Sequence, residues 1–419
     1  MKMHLFFTLN DFKNDGGSTI RMKGIVNALA EADQRVVLFS NAETHGRFHS
    51  SIKHIFLGVN ISKKQKRIFQ FCIALLPNIV NKFIFKSYLI TISGILKKEK
   101  FKINRSIIFF EYLDNSMALF LNKQNIIGEY INDVHGSARL EFLHKRPNTL
   151  LKKCLNMSKY VVAIILDRRM YKNANKIIFL SEAMKEYFEK YYNFIASNDN
   201  YVIRDGVSRS QCRKIANKNS VEKYKKSLNI SPKDRVVMFA GSFKDLGGVL
   251  DLLKSFNFLV REKKMHNLKL LLLGDGECYK DAKRFISINQ LEERVIMIGR
   301  TPYSELKNYQ ELADVIVCPD KQHPLSELVP HIKYFDSLVS EKIVINGSFA
   351  SISSINKNEC ISVNFNPSDI DNLTVKIEMV LMNLDSFKLK YQLNKGKICK
   401  KFSYNRSVEI LIKKQATLN

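Results

Sequence analysis

The stretch "RVVMFAGSFKDLGGVLDLLKSF" (235–256) decides the fold of the second half of this chain. It opens with a short apolar run, continues with a glycine-containing loop, and ends with apolar residues at helical spacing. Strand-like runs and helix-like segments then keep alternating toward the carboxyl end. Short apolar strands separated by helices favour a parallel sheet with helices on both faces. The later predicted segments are "LKLLLLGDGE" (268–277), "RVIMIGRTPYSEL" (294–306), "VIVCPD" (315–320) and "KIVING" (342–347).

The first half has the same rhythm. Its glycine loop joins a strand to an amphipathic helix, and further strands follow. The segments are "HLFFTL" (4–9), "STIRMKGIVNALAEA" (18–32), "RVVLFS" (35–40), "SIIFFEYL" (106–113), "NIIGEYINDVHG" (125–136) and "KIIFLSEAMKEYFEKYY" (176–192). Two such halves predict an α/β protein with two Rossmann-like doubly wound domains. Ligands of such domains bind beyond the carboxyl ends of the strands.

The length of 419 residues also favours two domains of about 200 residues each. We predict an amino-terminal domain over 1–206 and a second domain over 207–395. The stretch 208–234 beside this boundary is lysine-rich and helix-capable. Residues 396–419 are predicted to form a closing carboxy-terminal helix after the second sheet is complete, one that crosses back to the first domain.

The formal net charge of +27 predicts an acidic partner: nucleic acid, an anionic membrane surface or a phosphorylated substrate. The basic residues do not interleave with aromatic ones as in nucleic-acid-binding modules, so no nucleic acid is expected. Seven cysteines without a C-x-x-C pair indicate neither a zinc site nor a disulfide framework, and fit a reducing cytoplasm.

Residues 62–105 combine apolar runs with a dense set of basic residues. Their longest uncharged run, of about 14 residues, is short of the roughly 20 that cross a bilayer, so no transmembrane helix is predicted. Charge beside apolar surface is typical of an interfacial membrane segment. The alternative is that these helices pack into the first domain and leave their lysines in water. The basic residues are Lys63, Lys64, Lys66, Arg67, Lys82, Lys86, Lys97, Lys98, Lys100, Lys102 and Arg105, opposed only by Glu99.

The stretch "SELVPHIKYFDS" (326–337) carries charges next to a predicted helix. Pro330 suits the first turn, where no backbone N–H is needed. On a helical wheel Lys333 and Asp336 lie about 60° apart and away from the apolar stripe. By itself this pattern indicates a solvated face with a weak surface ion pair.

The ordered set of segments resembles the retaining GT-B glycosyltransferases of family 4. The resemblance rests on the second-half segments above, on "LVPHIKYFDSLVSEKIVI" (328–345), and in the first half on "NDGGSTIRMKGIVNAL" (14–29), "ANKIIFLSEAMKEYF" (174–188) and "YVIRDGV" (201–207). It covers nearly the whole chain apart from 60–105. The resemblance implies a GT-B fold, with two Rossmann-like domains facing a central cleft.

The resemblance also implies site residues. Asp336 takes the place of an acidic residue that hydrogen-bonds the nucleotide-sugar donor, and Glu327 lies near the place of a second, nine residues earlier instead of eight. Lys333 belongs to the same donor-binding helix. Gly16 and Gly17 correspond to the family's glycine loop, where backbone amides approach an anion.

"INDVHGS" (131–137) places His135 where the family has a histidine facing the donor sugar. Asp133 is then a candidate orienting or acceptor-activating carboxylate. The bland interpretation of the histidine is a satisfied structural residue.

The donor loop departs from the family pattern. Ser242 and Gly247 stand where the family has arginine and lysine, so Lys244 and Arg300 are the candidate cations for the donor phosphates. Gly276 in "GDGE" (274–277) is a further donor-loop candidate; Tyr279 replaces the last glycine of a dinucleotide fingerprint, which argues against NAD. "DID" (369–371) is better explained by helix capping than by metal binding. No cofactor and no catalytic metal are expected.

The sequence therefore predicts a glycosyltransferase that moves a sugar from a nucleotide-activated donor to a growing bacterial surface glycan, such as a lipid-linked O-antigen or capsule intermediate, with retention. It is expected in the cytoplasm, peripheral on the inner face of the cell membrane. The alternatives are a GT-B scaffold with a degenerate or non-standard donor site and a basic nucleic-acid-binding protein.

Overall fold

The fold is seen in a computed structural model. It describes residues 3–14, 16–43, 48–99, 106–145, 147, 149–195, 200–356, 361–392 and 395–414. Lys100, Lys102 and Arg105 of the predicted membrane segment lie outside these residues. The chain forms two compact units. The first combines Met1–Arg204 with Ser407–Asn419, and the second is Asp205–Arg406. The sequence prediction divides the chain after residue 206 and treats 396–419 as a separate helix.

The described part of the first unit contains one sheet of seven parallel strands, in the order β3-β2-β1-β4-β5-β6-β7. The chain order reverses between β1 and β4, which is the switch point of a doubly wound sheet. Its strands are β1 (Met3–Phe7), β2 (Arg35–Ser40), β3 (Lys53–Phe56), β4 (Ile107–Phe109), β5 (Tyr130–Asp133), β6 (Lys176–Phe179) and β7 (Tyr201–Val202).

Helices cover this sheet. They are α1 (Gly17–Glu31), α2 (Lys63–Leu75), α3 (Asn78–Ile84), α4 (Lys86–Lys98), α5 (Tyr112–Lys123), α6 (Ala138–His144), α7 (Leu150–Asn173) and α8 (Glu182–Tyr191). The predicted strand 106–113 is shorter than expected: β4 ends at Phe109 and α5 begins at Tyr112.

The second unit repeats the plan with six parallel strands in the order β10-β9-β8-β11-β12-β13. The reversal lies between β8 and β11. Its strands are β8 (Arg235–Ala240), β9 (Leu268–Leu273), β10 (Val295–Gly299), β11 (Val315–Cys318), β12 (Ile343–Gly347) and β13 (Val363–Phe365). The predicted α/β fold with two doubly wound sheets is confirmed.

The helices of the second unit begin in the lysine-rich stretch. They are α9 (Arg209–Arg213), α10 (Lys218–Ser227), α11 (Val249–Arg261), α12 (Tyr279–Ile288), α13 (Leu306–Leu312), α14 (Pro324–Leu328), α15 (Ile332–Leu338), α16 (Ala350–Asn356), α17 (Ile370–Met382), α18 (Leu384–Gln392) and α19 (Lys395–Lys401). The last helix, α20 (Tyr404–Lys414), begins in the second unit and continues into the first.

Each sheet holds the core of its unit. In the second unit Val237, Phe239, Leu270 and Leu272 are buried together with the inner face of α11. Near-continuous apolar strands are what a parallel sheet covered on both faces requires. Because the strands themselves are apolar, the polar groups that can bind a ligand lie in the loops after the strands.

The helix predicted to begin at Pro330 begins later. Pro324 occupies the first turn of the short α14, while Pro330 precedes α15, whose N-cap is His331. The expectation of a solvated face is also wrong, because residues 334–338 are all buried. The helical wheel fails here because α15 is covered on several sides.

Segment 62–105 is helical where the structure describes it, through α2, α3 and α4. Within the described residues no one helix has the length and apolar character to cross a bilayer, although α3 and α4 together, bent by 86°, meet those criteria.

Candidate functional site

A buried ion pair lies at the carboxyl end of β5. Asp133 is the last residue of this strand and is fully buried, and Arg21 of α1 is only 1% exposed. The Arg21 guanidinium donates two hydrogen bonds, from Nε to Oδ2 at 3.0 Å and from Nη2 to Oδ1 at 2.8 Å. This bidentate geometry is the strongest form of an arginine–carboxylate pair. It ties α1, and with it the loop that carries Gly16, to β5.

His135 completes the cluster. Its Nε2 lies 2.9 Å from Asp133 Oδ2, and its side chain is 14% exposed. The other ring nitrogen, Nδ1, is buried and has no hydrogen-bond partner among the described residues. A histidine held by a carboxylate in this way presents the exposed part of its ring in a fixed orientation.

The charge state of Asp133 follows from its partners. Burial alone would raise the pKa of this carboxyl, but the Arg21 guanidinium and His135 outweigh it and lower the pKa to about 2. Asp133 is therefore an anion at neutral pH with both oxygens engaged. This geometry suits the orienting role proposed for Asp133 better than proton abstraction from an acceptor.

The glycine loop lies at the amino end of α1. Gly16 is the N-cap, and a Cβ built there would meet nothing within 4 Å, so packing does not require a glycine. Gly17 is the first helical residue. The open space beside Gly16 leaves the backbone accessible to a ligand.

A second buried acid, Asp114, lies in the first turn of α5 and contacts the chain just after β1. Asp114 Oδ1 accepts a hydrogen bond from the Leu9 amide at 2.9 Å. Burial, and then the nearby carboxylate of Glu111, hold the Asp114 pKa well above its usual range. Glu111 itself has φ 51° and ψ 165°, a conformation that costs a non-glycine residue about 1–3 kcal/mol. Sequence reasoning missed both residues.

In the second unit the loop after β8 carries the donor-loop candidates. Ser242 and Lys244 are exposed. The backbone of Gly276 packs under this loop, since a Cβ there would lie 2.7 Å from the carbonyl oxygen of Phe243. Gly248 has φ +69°, and its Cβ would lie 1.7 Å from the Pro319 carbonyl oxygen, so only glycine fits. The loop is thus held close to the ends of β9 and β11.

Lys333 reaches this loop from α15. Its Nζ donates to Asp320 Oδ1 at 2.6 Å and lies 5.2 Å from the centroid of the Phe239 ring. His331 Nε2 lies 3.8 Å from the same carboxylate oxygen. Desolvation and the ammonium groups of Lys333 and Lys244 lower the pKa of His331, while Asp320 opposes them. Lys333 therefore pairs with Asp320 and not, as expected from the wheel, with Asp336.

Asp336 is buried, with 6% of its surface exposed. Its Oδ1 accepts from the Tyr303 hydroxyl at 2.6 Å and from Gln211 Nε2 at 3.0 Å. Burial raises the pKa of Asp336 to about 7, with Asp205 adding to the shift and the Tyr303 hydrogen bond opposing it. At neutral pH this carboxyl is poised between its two protonation states.

The other candidates lie apart from this cluster. Glu327 Oε2 accepts from the Ala350 amide at 2.7 Å, and its Oε1 accepts from Gln322, so its carboxylate caps α16. Arg300 is exposed just beyond β10, the edge strand. As predicted, Asp369 caps α17, accepting from the Asn372 amide at 2.8 Å.

The titration of Asp336 predicts a pH dependence of stability. An aspartate in the unfolded chain has a pKa of about 3.9, so the folded second unit binds this proton more tightly. Stability from Asp336 is therefore present at low pH and is lost as pH rises from about 4 to about 7. We expect urea unfolding of the second unit to show this loss between pH 5 and pH 7, and Asp336→Asn to remove it.

The exposed Asp281 supplies the control, because Asp281→Asn should keep the wild-type slope of unfolding free energy against pH. An Asp336→Asn protein with an unchanged slope would contradict the assignment.

Sequence reasoning missed most of the partners. Arg21 and Asp133 are 112 residues apart, and Gln211 and Asp336 are 125 apart. One local signal was available: Asp320 follows the apolar run "VIVC" after a single proline, as ligand-facing polar residues do at the carboxyl edge of a sheet.

The comparisons with known proteins agree with this geometry. Residues 220–388 match the family glycosyl transferases group 1. No curated protein sequence matches the chain. Sucrose-phosphate synthase from Thermosynechococcus elongatus has a similar structure, with a TM-score of 0.73 at 14% identity, covering 100% of this chain and 99% of that one.

Two further structures are similar to this chain. HepE from Anabaena in complex with UDP-glucose gives a TM-score of 0.70 at 12% identity and full coverage of both chains. WaaG, a glycosyltransferase involved in lipopolysaccharide biosynthesis, gives 0.68 at 13% identity, with 97% of this chain and 99% of that one covered. At such identities structural likeness shows the fold alone. The chain therefore has the GT-B fold, and its second unit matches a glycosyltransferase family over residues 220–388.

Proposed function

We propose that this protein is a glycosyltransferase that transfers a sugar from a nucleotide-activated donor to a growing, lipid-linked bacterial surface glycan, with retention of the anomeric configuration. The observation that carries the donor part is the polar cluster at the carboxyl edge of β8 and β11. Lys244 lies in the loop after β8, Lys333 of α15 binds Asp320 after β11, and Asp336 lies one turn further along α15. The structures of HepE with UDP-glucose and of WaaG support a nucleotide sugar and a surface glycan by likeness of fold.

In this proposal the bond from the sugar anomeric carbon to the phosphate oxygen breaks, and a bond to the acceptor hydroxyl oxygen forms. The acceptor proton passes to the leaving phosphate. The protein positions the reactants and stabilises the charge that develops on the phosphate, for which Lys244 and Lys333 are the cations. Asp336 binds hydroxyls of the donor, and His135, held by Asp133, contacts the reacting sugar.

The donor cluster predicts the effect of two substitutions. Lys244→Ala and Asp336→Asn should each lower turnover at least tenfold, about 1.4 kcal/mol in activation free energy. Lys244→Ala removes a cation that stabilises the negative charge of the donor phosphate. Asp336→Asn removes a carboxylate oxygen that accepts hydrogen bonds from the donor hydroxyls. Nucleotide release is measured with UDP-glucose and other nucleotide sugars as the probes.

Lys283→Ala is the matched control, because Lys283 is an exposed lysine of α12 in the same unit. Wild-type turnover in both site variants of an active protein would rule out this donor site. Absence of nucleotide release with every donor would favour the degenerate-site alternative raised by Ser242 and Gly247.

We further propose that the protein binds the anionic inner face of the membrane through α2–α4. Large apolar side chains there are exposed, among them Ile79 at 66% and Phe83 at 73%. Lys63, Lys64, Lys66 and Arg67 lie within the first five residues of α2. Cations near a helix amino end are unfavourable by about 0.3–1 kcal/mol each, so helix stability does not explain them.

Membrane binding predicts a salt-sensitive preference for anionic vesicles. The full chain should co-sediment with phosphatidylglycerol vesicles and not with phosphatidylcholine vesicles, and added salt should weaken the binding. Each basic residue near anionic lipid contributes about 1 kcal/mol, so changing Lys63, Lys64, Lys66 and Arg67 together to Gln should weaken it at least tenfold.

A charge-matched control changes four exposed lysines of the second unit to Gln: Lys223, Lys226, Lys280 and Lys283. Equal binding to both kinds of vesicle, or an equal loss in the two quadruple variants, would argue against anchoring through α2–α4.

A further inference from the structure

The first half of α7 exposes large apolar side chains, which are usually buried in a folded protein. We call residues 150–161 the α7 tip. Its leucines face water, with Leu150 78% and Leu151 72% exposed. The second half of the same helix behaves ordinarily, since Ala163, Leu166 and Met170 are buried. The tip is therefore a distinct surface feature.

The tip is amphipathic, and its apolar face points away from the protein. At 100° per residue, its apolar side chains cover an arc of about 160°. They are Leu150, Leu151, Cys154, Leu155, Met157 and Val161. On the polar side, Asn156 Nδ2 donates to the Phe142 carbonyl oxygen of α6 at 2.6 Å. A helix that stabilises only a soluble fold shows the opposite arrangement, with its apolar face inward.

The charged residues in the stretch of chain that carries the tip are all basic. No Asp or Glu occurs from residue 142 to residue 166. Lys152 and Lys159 border one side of the apolar face, Lys153 lies near the other, and all three are exposed. Exposed leucines flanked by lysines match a surface that offers both hydrocarbon and negative charge.

The exposed leucines and lysines of the tip together favour one kind of partner over others. A second copy of the chain would bring the same lysines together, and like charges repel. Nucleic acid would use the lysines and leave the leucines in water. An anionic bilayer satisfies both, since its headgroups attract the lysines and its acyl region takes up the leucines.

We propose that the α7 tip inserts its apolar face into the interface of an anionic membrane. The inference rests on the proposed membrane association and deepens it, because it adds a second contact built from residues outside α2–α4. α2 and α7 lie beside each other, since Arg169 of α7 donates to the Ala74 carbonyl oxygen at 3.1 Å. Two contacts on one unit fix its orientation on the bilayer, which a single contact does not.

The first test removes apolar character and keeps every charge. Leu150→Gln, Leu151→Gln and Leu155→Gln combined should weaken binding of the full chain to phosphatidylglycerol vesicles tenfold or more. The control changes three exposed apolar residues of the second unit to Gln: Ile288, Val375 and Met382. It should leave vesicle binding unchanged.

The second test reads insertion directly. Cys154 lies on the apolar face and is exposed. In a protein whose Cys212, Cys360 and Cys399 are changed to Ser, a polarity-sensitive fluorophore on Cys154 should shift to shorter wavelength on adding these vesicles. The same fluorophore at Lys283→Cys, with Cys154 also changed to Ser, should not shift.

The outcomes separate the two proposals. Loss of binding in the leucine variant together with the Cys154 shift supports insertion of the tip. Wild-type binding by the leucine variant, or an unshifted Cys154 probe on vesicle-bound protein, overturns the tip and leaves α2–α4 standing. A wild-type chain that binds no vesicle overturns both.

Discussion

Replacing Arg21 with alanine is expected to lower the free energy of unfolding of the first unit by about 3–5 kcal/mol, because the Asp133 carboxylate would remain buried without its partner. Asp133 is fully buried, and Arg21 and His135 together lower its pKa to about 2. Without Arg21 the carboxyl either keeps its buried charge or takes up a proton as its pKa rises, and both outcomes cost free energy. Hydrogen exchange of α1 and β5 as a function of denaturant measures the change.

The exposed Arg35, at the start of β2, provides the comparison. Arg35→Ala also removes an arginine side chain, but from a position exposed to water, and should change the unfolding free energy by less than about 0.5 kcal/mol. Similar losses in the two variants would mean that the bidentate pair does not stabilise the unit as inferred.

Replacing His135 with alanine is expected to lower turnover at least 100-fold, about 2.7 kcal/mol in activation free energy. The side chain is 14% exposed, is oriented by Asp133, and keeps a ring nitrogen without a partner in the described structure. These features suit contact with a reacting sugar more than support of the fold. Nucleotide release from the best donor gives the rate, and thermal unfolding gives the stability.

His266, an exposed histidine of the second unit, is the control, and His266→Ala should keep wild-type turnover. A His135→Ala protein that unfolds early but turns over normally would assign His135 to structure, which is the bland interpretation of a histidine after a strand.

The fold follows from the sequence because its signals are local. Each apolar run of the second half became a strand, although the edge strand β10 is largely half-buried, and the periodic segments after the loops became helices. Element boundaries depended on contacts that a local pattern does not contain. Pro330 precedes its helix. Glu111, whose backbone conformation is rare for a residue other than glycine, separates β4 from α5.

The site was less predictable because its interactions are long-range. The helical wheel assumes one wet face, but α15 has five consecutive buried residues, so Asp336 is held by Tyr303 and Gln211 inside the unit. Lys333 likewise pairs with Asp320, and no rule of sequence spacing predicts this pair. The ends of the strands were predictable from the sequence, and the partners of the charges were not.

The assignment of Ser407–Asn419 to the first unit has a consequence for synthesis on the ribosome. The second unit is continuous from Asp205 to Arg406, and its two ends are joined by hydrogen bonds between Val207 and the Phe402–Tyr404 backbone at 2.9 and 3.0 Å. It can therefore fold as soon as its last residue leaves the ribosome exit tunnel. The first unit lacks its buried Val408 and Leu411 until the whole second unit has been synthesised. Of these two units, the one whose synthesis begins first is thus the one completed last, a reversal of the usual amino-terminal-first order.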